Sequence, residues 1–153
     1  MYATRAEAAN AVRVRDIIKA IKGDKIDPLT RRPYVEIVVE RMAASVGASL
    51  EDILNADSVL IPVPGSGLTR PNTVWPALSI CNALRKFGLG AAIETSLRRA
   101  HAVQKSAGNQ TRPSLEEHYK SFSVQGTLTA AKNLTLIDDV VTSGTTLMAA
   151  REF

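Results

Sequence analysis

Residues 134–147 read Leu-Thr-Leu-Ile-Asp-Asp-Val-Val-Thr-Ser-Gly-Thr-Thr-Leu, and this segment carries the clearest structural signal in the chain. Leu134, Leu136 and Ile137 form an apolar run that is too short for a helix and is typical of a strand buried in a parallel sheet. The run stops at Asp138 and Asp139. These acids would lie at the carboxyl end of the strand, where open α/β sheets place their ligand sites.

The residues after the acids have the chemistry of a phosphate-binding loop. Thr142-Ser143-Gly144-Thr145-Thr146 supplies hydroxyls and a glycine, and the following residues begin like a helix. Such a loop can direct several N–H and O–H donors at one anion. A neighbouring carboxylate pair accepts hydrogen bonds from sugar hydroxyls or holds a hydrated cation. The segment therefore predicts a sugar-phosphate site, and an ordinary strand, loop and capped helix is the alternative.

The whole chain has the composition of one globular domain. It has 153 residues, with 45% hydrophobic and 22% charged residues, and it lacks the apolar run of about 18 residues that a membrane span requires. The charged N-terminal segment does not resemble a secretory signal, so we expect a cytoplasmic protein without membrane association. The net charge of +4 suits phosphate-rich ligands or weak nucleic-acid contacts, and it does not distinguish them. The single cysteine, Cys81, is predicted to pack in the core.

The first part of the chain, residues 1–56, is predicted to be a helical segment without recognisable chemistry. One helix is predicted over residues 6–21, with an apolar face formed by Val14, Ile17, Ile18 and Ile21. A second helix is predicted from Pro33 to about residue 46, closed by Gly47. Ser49 is a candidate N-cap for a short third helix.

The α/β core is predicted to begin at residue 57. Residues 57–64 predict its first strand, which leads into a sharply shaped loop, Pro64-Gly65-Ser66-Gly67. A helix over residues 74–87 and a second strand over 91–95 follow. The loop would lie on the same carboxyl edge of the sheet as Asp138.

A basic segment without hydrophobic periodicity follows the second strand and predicts a long mobile loop over residues 98–112. It is either a solvated loop or a lid that brings cations to a leaving group and excludes water. Ser114 then predicts the start of a helix that ends near Phe122, and residues 123–126 predict an edge strand or a turn. The candidate lid cations are Arg98, Arg99, Lys105 and Arg112.

The sequence from Thr135 to Leu147 resembles the phosphoribosyl pyrophosphate (PRPP) binding motif of type I phosphoribosyltransferases. That motif is a hydrophobic strand, two acids, two small or apolar residues and then Thr-Ser/Thr-Gly-x-Thr. The basic segment, with Leu97-Arg98-Arg99, Gln104-Lys105 and Arg112, is similar to that of ComF-like members. Those members often carry an N-terminal cysteine-rich zinc segment, which this chain lacks.

The resemblance implies an α/β fold, a mainly parallel sheet with helices on both faces over residues 57–153. It also implies Mg²⁺-dependent transfer of the 5-phosphoribosyl group from PRPP to a nitrogenous base or amine. Asp138 and Asp139 would contact the ribose hydroxyls and, through water, the Mg²⁺, with no direct protein ligand to the metal. The 5-phosphate would be held by Val141, Thr142, Ser143, Gly144, Thr145 and Thr146. The pyrophosphate would be held by Pro64, Gly65, Ser66 and Gly67.

The end of the chain is where it departs from this family, in which a longer helix and at least one further core strand follow the phosphate loop. The sequence stops at Phe153, so we expect an incomplete C-terminal part and an exposed sheet edge that invites pairing, for instance in a homodimer. Two alternatives to the enzyme follow. One is a non-catalytic PRPP or nucleotide sensor that acts on nucleic acid or a protein partner, and the other is an inactive fragment that associates through the open edge.

Overall fold

The computed structural model describes residues 5–68, 70, 73–104, 113–126, 133–141 and 143–153, with side chains described outside 5–11 and 46–49. The helices and strands it contains are, in order, α1 (Arg5–Lys22), α2 (Tyr34–Ile53), β1 (Ser58–Pro62), α3 (Pro76–Lys86), β2 (Ala92–Ile93), β3 (Leu97–Arg99), α4 (Leu115–Ser121), β4 (Phe122–Val124), β5 (Asn133–Ile137) and α5 (Thr145–Arg151).

A small parallel sheet flanked by helices forms the centre of the molecule, as the sequence predicts. Its strand order is β2-β1-β5, with both neighbours parallel to β1. Every residue of β1 is buried, which explains its unbroken apolar sequence.

The motif strand β5 is parallel but not buried, so that part of the sequence prediction is wrong. It lies at an edge of the three-stranded sheet, and Leu134 is 48% exposed. The apolar run alone does not distinguish an edge strand from a central one, because that difference depends on which strands pair with it.

The segment predicted as a long loop from residue 98 begins instead as a strand. β3 pairs antiparallel with β4, with Arg98 opposite Ser123 and Arg99 opposite Phe122. Arginine in a three-residue strand has no apolar alternation, so periodicity does not reveal it. Helix α4 begins at the predicted position, where the Ser114 side chain accepts from the Glu117 N–H and the Glu117 carboxylate accepts from the Ser114 N–H.

Helix α2 is longer than the sequence predicts, because Gly47 does not end it. The two predicted helices form one helix of 20 residues. A glycine inside a helix costs about 1 kcal/mol relative to alanine. Here Leu50 and Leu54 pack against the hydrophobic core beyond the glycine, and this packing outweighs the weak local propensity.

The N-terminal helices and the sheet share one hydrophobic cluster. Val35 and Val39 of α2 pack with Leu60 of β1 and with Leu84 of α3. Cys81 belongs to the same cluster and is completely buried, which confirms its predicted core position, and burial raises the pKa of its thiol to about 12. Val14 of α1 departs from the predicted apolar face, since it is 55% exposed. In the described part of the chain, no helix has the length and apolar character to cross a bilayer.

Candidate functional site

The candidate site lies at the carboxyl edge of the parallel sheet, where β1 and β5 end side by side. Pro62 pairs with Ile137, and the Val63 N–H donates to the Ile137 carbonyl at 2.8 Å. The loop of residues 64–67 and the Asp138 segment therefore leave the sheet at the same edge. The sequence prediction that these two segments share one carboxyl edge of the sheet is confirmed.

A concave pocket joins the predicted phosphate loop to the acid at the end of β5. Within the loop Gly144 has φ +75° and ψ −1°, a left-handed conformation that favours glycine. The Ser143 and Thr145 hydroxyl oxygens are 2.8 Å apart. The pocket is lined by Pro113, His118, Asp138, Val140, Val141, Ser143, Gly144, Thr145, Thr146 and Leu147.

The two acids are joined by a hydrogen bond, and one of them forms an ion pair with a lysine of the N-terminal segment. The Asp139 N–H donates to Asp138 Oδ1 at 2.8 Å, and Lys22 Nζ of α1 lies 3.0 Å from Asp139 Oδ2. Burial raises the pKa of Asp138 to about 6, and the neighbouring Asp139 carboxyl adds to the increase. The site therefore holds one paired carboxylate and one that ionises less readily than an ordinary aspartate, and such perturbed acids are concentrated at functional sites.

The raised pKa of Asp138 makes stability depend on pH in a defined direction. Between its ordinary pKa of 3.8 and about 6, the folded state binds more protons than the unfolded state, so the free energy of unfolding falls as pH rises through this window. Asp138→Asn lacks this titration. Its stability relative to wild type should rise by about 1 kcal/mol across the window, after allowance for solvent screening. Urea unfolding of both proteins from pH 4 to pH 8 measures this, and parallel stability curves would contradict it.

Arg99 is a buried hub rather than a lid cation on a mobile loop. Its Nε donates to the Gly65 carbonyl at 3.0 Å, and a second nitrogen donates to the His118 carbonyl at 3.3 Å and to the Ser121 hydroxyl. The guanidinium also lies over the Phe122 ring, 3.8 Å from its centroid. Burial lowers the pKa of Arg99 to about 10, which leaves it charged at neutral pH. One side chain thus connects the residue 64–67 loop to α4.

His118 contacts both this hub and the pocket. It is 5% exposed, and its Nδ1 lies 3.0 Å from a terminal nitrogen of Arg99. Burial, followed by the charge of Arg99, lowers the pKa of His118, which favours the neutral ring. Because the sequence shows an isolated histidine without metal-ligand spacing, it gives no signal for this placement.

The loop of residues 64–67 is held by contacts on both sides. The Trp75 indole N–H donates to the Val63 carbonyl at 2.9 Å, and the Val103 N–H donates to the Ser66 carbonyl at 2.8 Å. Arg98 stacks over the Trp75 ring, 4.9 Å from its centroid. Arg98 therefore lies beside this loop, on a strand and half-buried.

The remaining predicted site residues, Thr142, Lys105 and Arg112, lie outside the described residues. Among the residues that are described, no three histidine, cysteine, aspartate or glutamate side chains form a group that could hold a metal ion.

Compared with known proteins, the chain matches no family model, no curated protein and no solved structure.

Proposed function

We propose that this protein binds PRPP and, with Mg²⁺, transfers its 5-phosphoribosyl group to a nitrogenous base or amine, releasing pyrophosphate. One observation carries the proposal. At the carboxyl edge of a parallel sheet, Asp138 lines the same pocket as the loop of residues 143–146, beside the end of β1. A phosphate site, a sugar-binding acid and a second glycine-containing loop are the parts that a phosphoribosyl donor requires. The same arrangement supports a type I phosphoribosyltransferase fold.

The loop of residues 143–146 would hold the 5-phosphate. Ser143 and Thr145 present adjacent hydroxyls, and each can donate to a phosphate oxygen. The left-handed Gly144 turns the backbone between the sheet and α5. A ligand phosphate bound there would place its ribose toward Asp138, which lines the same pocket.

The acid pair would hold the ribose hydroxyls and the hydrated metal. A carboxylate accepts hydrogen bonds from hydroxyl groups and from metal-bound water. When bound, Mg²⁺ would neutralise charge on the pyrophosphate as it leaves. Lys22 offsets the charge of Asp139, so the pair repels the phosphates of the donor less than two unpaired carboxylates would.

The loop of residues 64–67 would hold the pyrophosphate. A Cβ placed on Gly65 or Gly67 would meet no atom within 4 Å, and neither residue has a positive φ. The packing of the protein therefore does not require glycine at either position, whereas a ligand that approaches the backbone closely would. Arg98, stacked on Trp75 beside this loop, would add positive charge near the leaving group.

In the proposed reaction the bond between the anomeric carbon and the pyrophosphate oxygen breaks, and a bond from the acceptor nitrogen to that carbon forms. The pyrophosphate leaves with the bonding electron pair, and the acceptor nitrogen loses a proton to solvent. The carbon passes through an oxocarbenium-like state, as in other glycosyl transfers. Positioning of the two reactants and stabilisation of the leaving charge supply the rate, and no covalent enzyme intermediate is needed.

Thermal unfolding with PRPP and Mg²⁺, with ribose 5-phosphate and pyrophosphate as separate controls, tests the binding part of this proposal. Ligand at about 100 times its dissociation constant should add about 2.7 kcal/mol to the free energy of unfolding. A protein that is folded and shows no shift with any of the three ligands would contradict the proposed site. Release of pyrophosphate with a panel of bases then tests the transfer, and binding without release would favour the non-catalytic sensor.

A pair of double variants tests the ribose role of the acids. Replacing Asp138 and Asp139 by Asn should weaken PRPP binding more than binding of inorganic phosphate, which has no hydroxyls for them to contact. Asp52→Asn with Asp57→Asn removes two exposed carboxylates near the opposite end of β1 and should leave both affinities unchanged. Equal losses for PRPP and phosphate in the first variant would argue against a ribose role.

A further inference from the structure

A buried histidine on α4 lines the pocket of the phosphate loop, and its hydrogen bonding fixes which ring nitrogen carries the proton. The Arg99 guanidinium has only donors, so His118 Nδ1, 3.0 Å from it, must accept. A neutral imidazole that accepts at Nδ1 carries its proton on Nε2. The ring is therefore held in the Nε2–H tautomer by a group that cannot exchange roles with it.

The Nε2–H donor has no hydrogen-bond partner among the described residues. His118 is only 5% exposed as a residue, but its Nε2 is not a fully buried atom without a partner, since Ser96 Oγ is the one such side-chain atom in the described part of the chain. The Nε2–H donor therefore keeps an accessible surface through which a ligand can reach it. His118 lines the pocket that Ser143, Gly144 and Thr145 also line. A group that accepts a hydrogen bond inside this pocket would satisfy the donor.

We propose that His118 is a phosphate-binding residue that donates from Nε2–H to an oxygen of the 5-phosphate, and that Arg99 is the positioning residue that fixes this tautomer. This inference rests on the proposed function, because it concerns the phosphate held by the same loop. A neutral donor suits a pocket that already contains a carboxyl group, Asp138, and a nearby guanidinium. Through this contact, α4 as well as the loop of residues 143–146 would bind the phosphate ester.

Two substitutions of His118 distinguish the roles of its two ring nitrogens. His118→Asn keeps a polar group where Nδ1 meets Arg99 and removes the donor at Nε2, whereas His118→Gln can place an amide donor near the Nε2 position. His101→Asn is the matched control, because His101 is the other histidine of the chain and is exposed. Ribose 5-phosphate is the probe, and calorimetric titration gives its affinity for each variant.

We expect His118→Asn to bind ribose 5-phosphate roughly 10- to 100-fold more weakly, the range for one hydrogen bond to a charged group. His118→Gln should recover part of this loss, and His101→Asn should bind like wild type. Wild-type affinity in His118→Asn would overturn the inference while leaving the proposed function intact. A wild-type protein that binds neither ribose 5-phosphate nor PRPP would overturn both.

Nitrogen NMR of the wild-type protein provides a readout that does not depend on the folding of any variant. With ¹⁵N-labelled histidine, His118 should show a protonated Nε2 and an unprotonated Nδ1, and His101→Asn assigns the two rings. Ribose 5-phosphate should shift the Nε2 resonance and its proton and leave Nδ1 unprotonated. A protonated Nδ1 in the free protein would overturn the inference. So would an Nε2 resonance that does not shift on addition of ribose 5-phosphate when that ligand is shown to bind.

Discussion

Gly144→Val should weaken binding of ribose 5-phosphate by at least roughly 100-fold, equivalent to about 2.7 kcal/mol. The cause is conformational. Gly144 has φ +75°, where a residue with a side chain costs about 1–2 kcal/mol and a β-branched residue is a genuine outlier. A Cβ there meets no atom within 4 Å, so the strain comes from φ alone, and a change in φ would relieve it. That change would separate the Ser143 and Thr145 hydroxyls, which lie 2.8 Å apart, and disrupt the proposed phosphate site.

Gly88→Val is the matched control for this variant. Gly88 follows α3 with φ +79°, and a Cβ there also meets no atom within 4 Å. It should lose a similar amount of stability, on the order of 1–2 kcal/mol, and still bind ribose 5-phosphate like wild type. If both variants lose binding, the effect is global. If Gly144→Val binds normally, the phosphate does not depend on this loop geometry.

Gly90→Ala should lower the free energy of unfolding by about 3 kcal/mol or more, the largest stability loss that we expect from a single methyl group. Gly90 has φ +80°, and a Cβ on it would lie 2.8 Å from Cγ of Leu60. Leu60 is fully buried in the central strand and cannot withdraw. Left-handed strain of about 1–2 kcal/mol therefore adds to about 1–3 kcal/mol of overpacking. Calorimetry should show a melting temperature lower by roughly 6–12 °C.

Gly88→Ala separates the two contributions to this loss. Its φ of +79° matches that of Gly90, but its Cβ would point into open space. It should therefore lose only the conformational part, about 1 kcal/mol. Equal losses at Gly88 and Gly90 would show that the contact with Leu60 is relieved without cost.

The sequence predicts those parts of the site that a short segment encodes locally. An apolar run ended by Asp138 and followed by Ser143-Gly144-Thr145 places a strand, an acid and a turn in a fixed order, and the structure has all three. The start of α4 is equally local, because Ser114 and Glu117 form its capping bonds within one turn.

The sequence does not predict the contacts that depend on tertiary packing. Lys22 reaches Asp139 from α1, and no local pattern relates the two residues. Arg99 is buried and donates to the Gly65 and His118 carbonyls, although an arginine in a basic segment is more often solvated. Gly47 shows the same limit for the fold, since packing carries α2 through it. In each of these three examples, contacts between segments that are distant in sequence determine the observed structure.

The position of Arg99 has a thermodynamic consequence. It holds the Gly65 carbonyl with one nitrogen and Nδ1 of His118 with another. Arg99 therefore links the loop after β1 to the wall of the proposed phosphate pocket, so ordering of one restricts the other. A ligand that orders one of them reduces the entropy cost of occupying the other. By linkage, the gain in binding free energy is equal in both directions. The two ends of an extended ligand that carries phosphate groups at both ends would therefore be bound cooperatively through the protein as well as through the ligand itself.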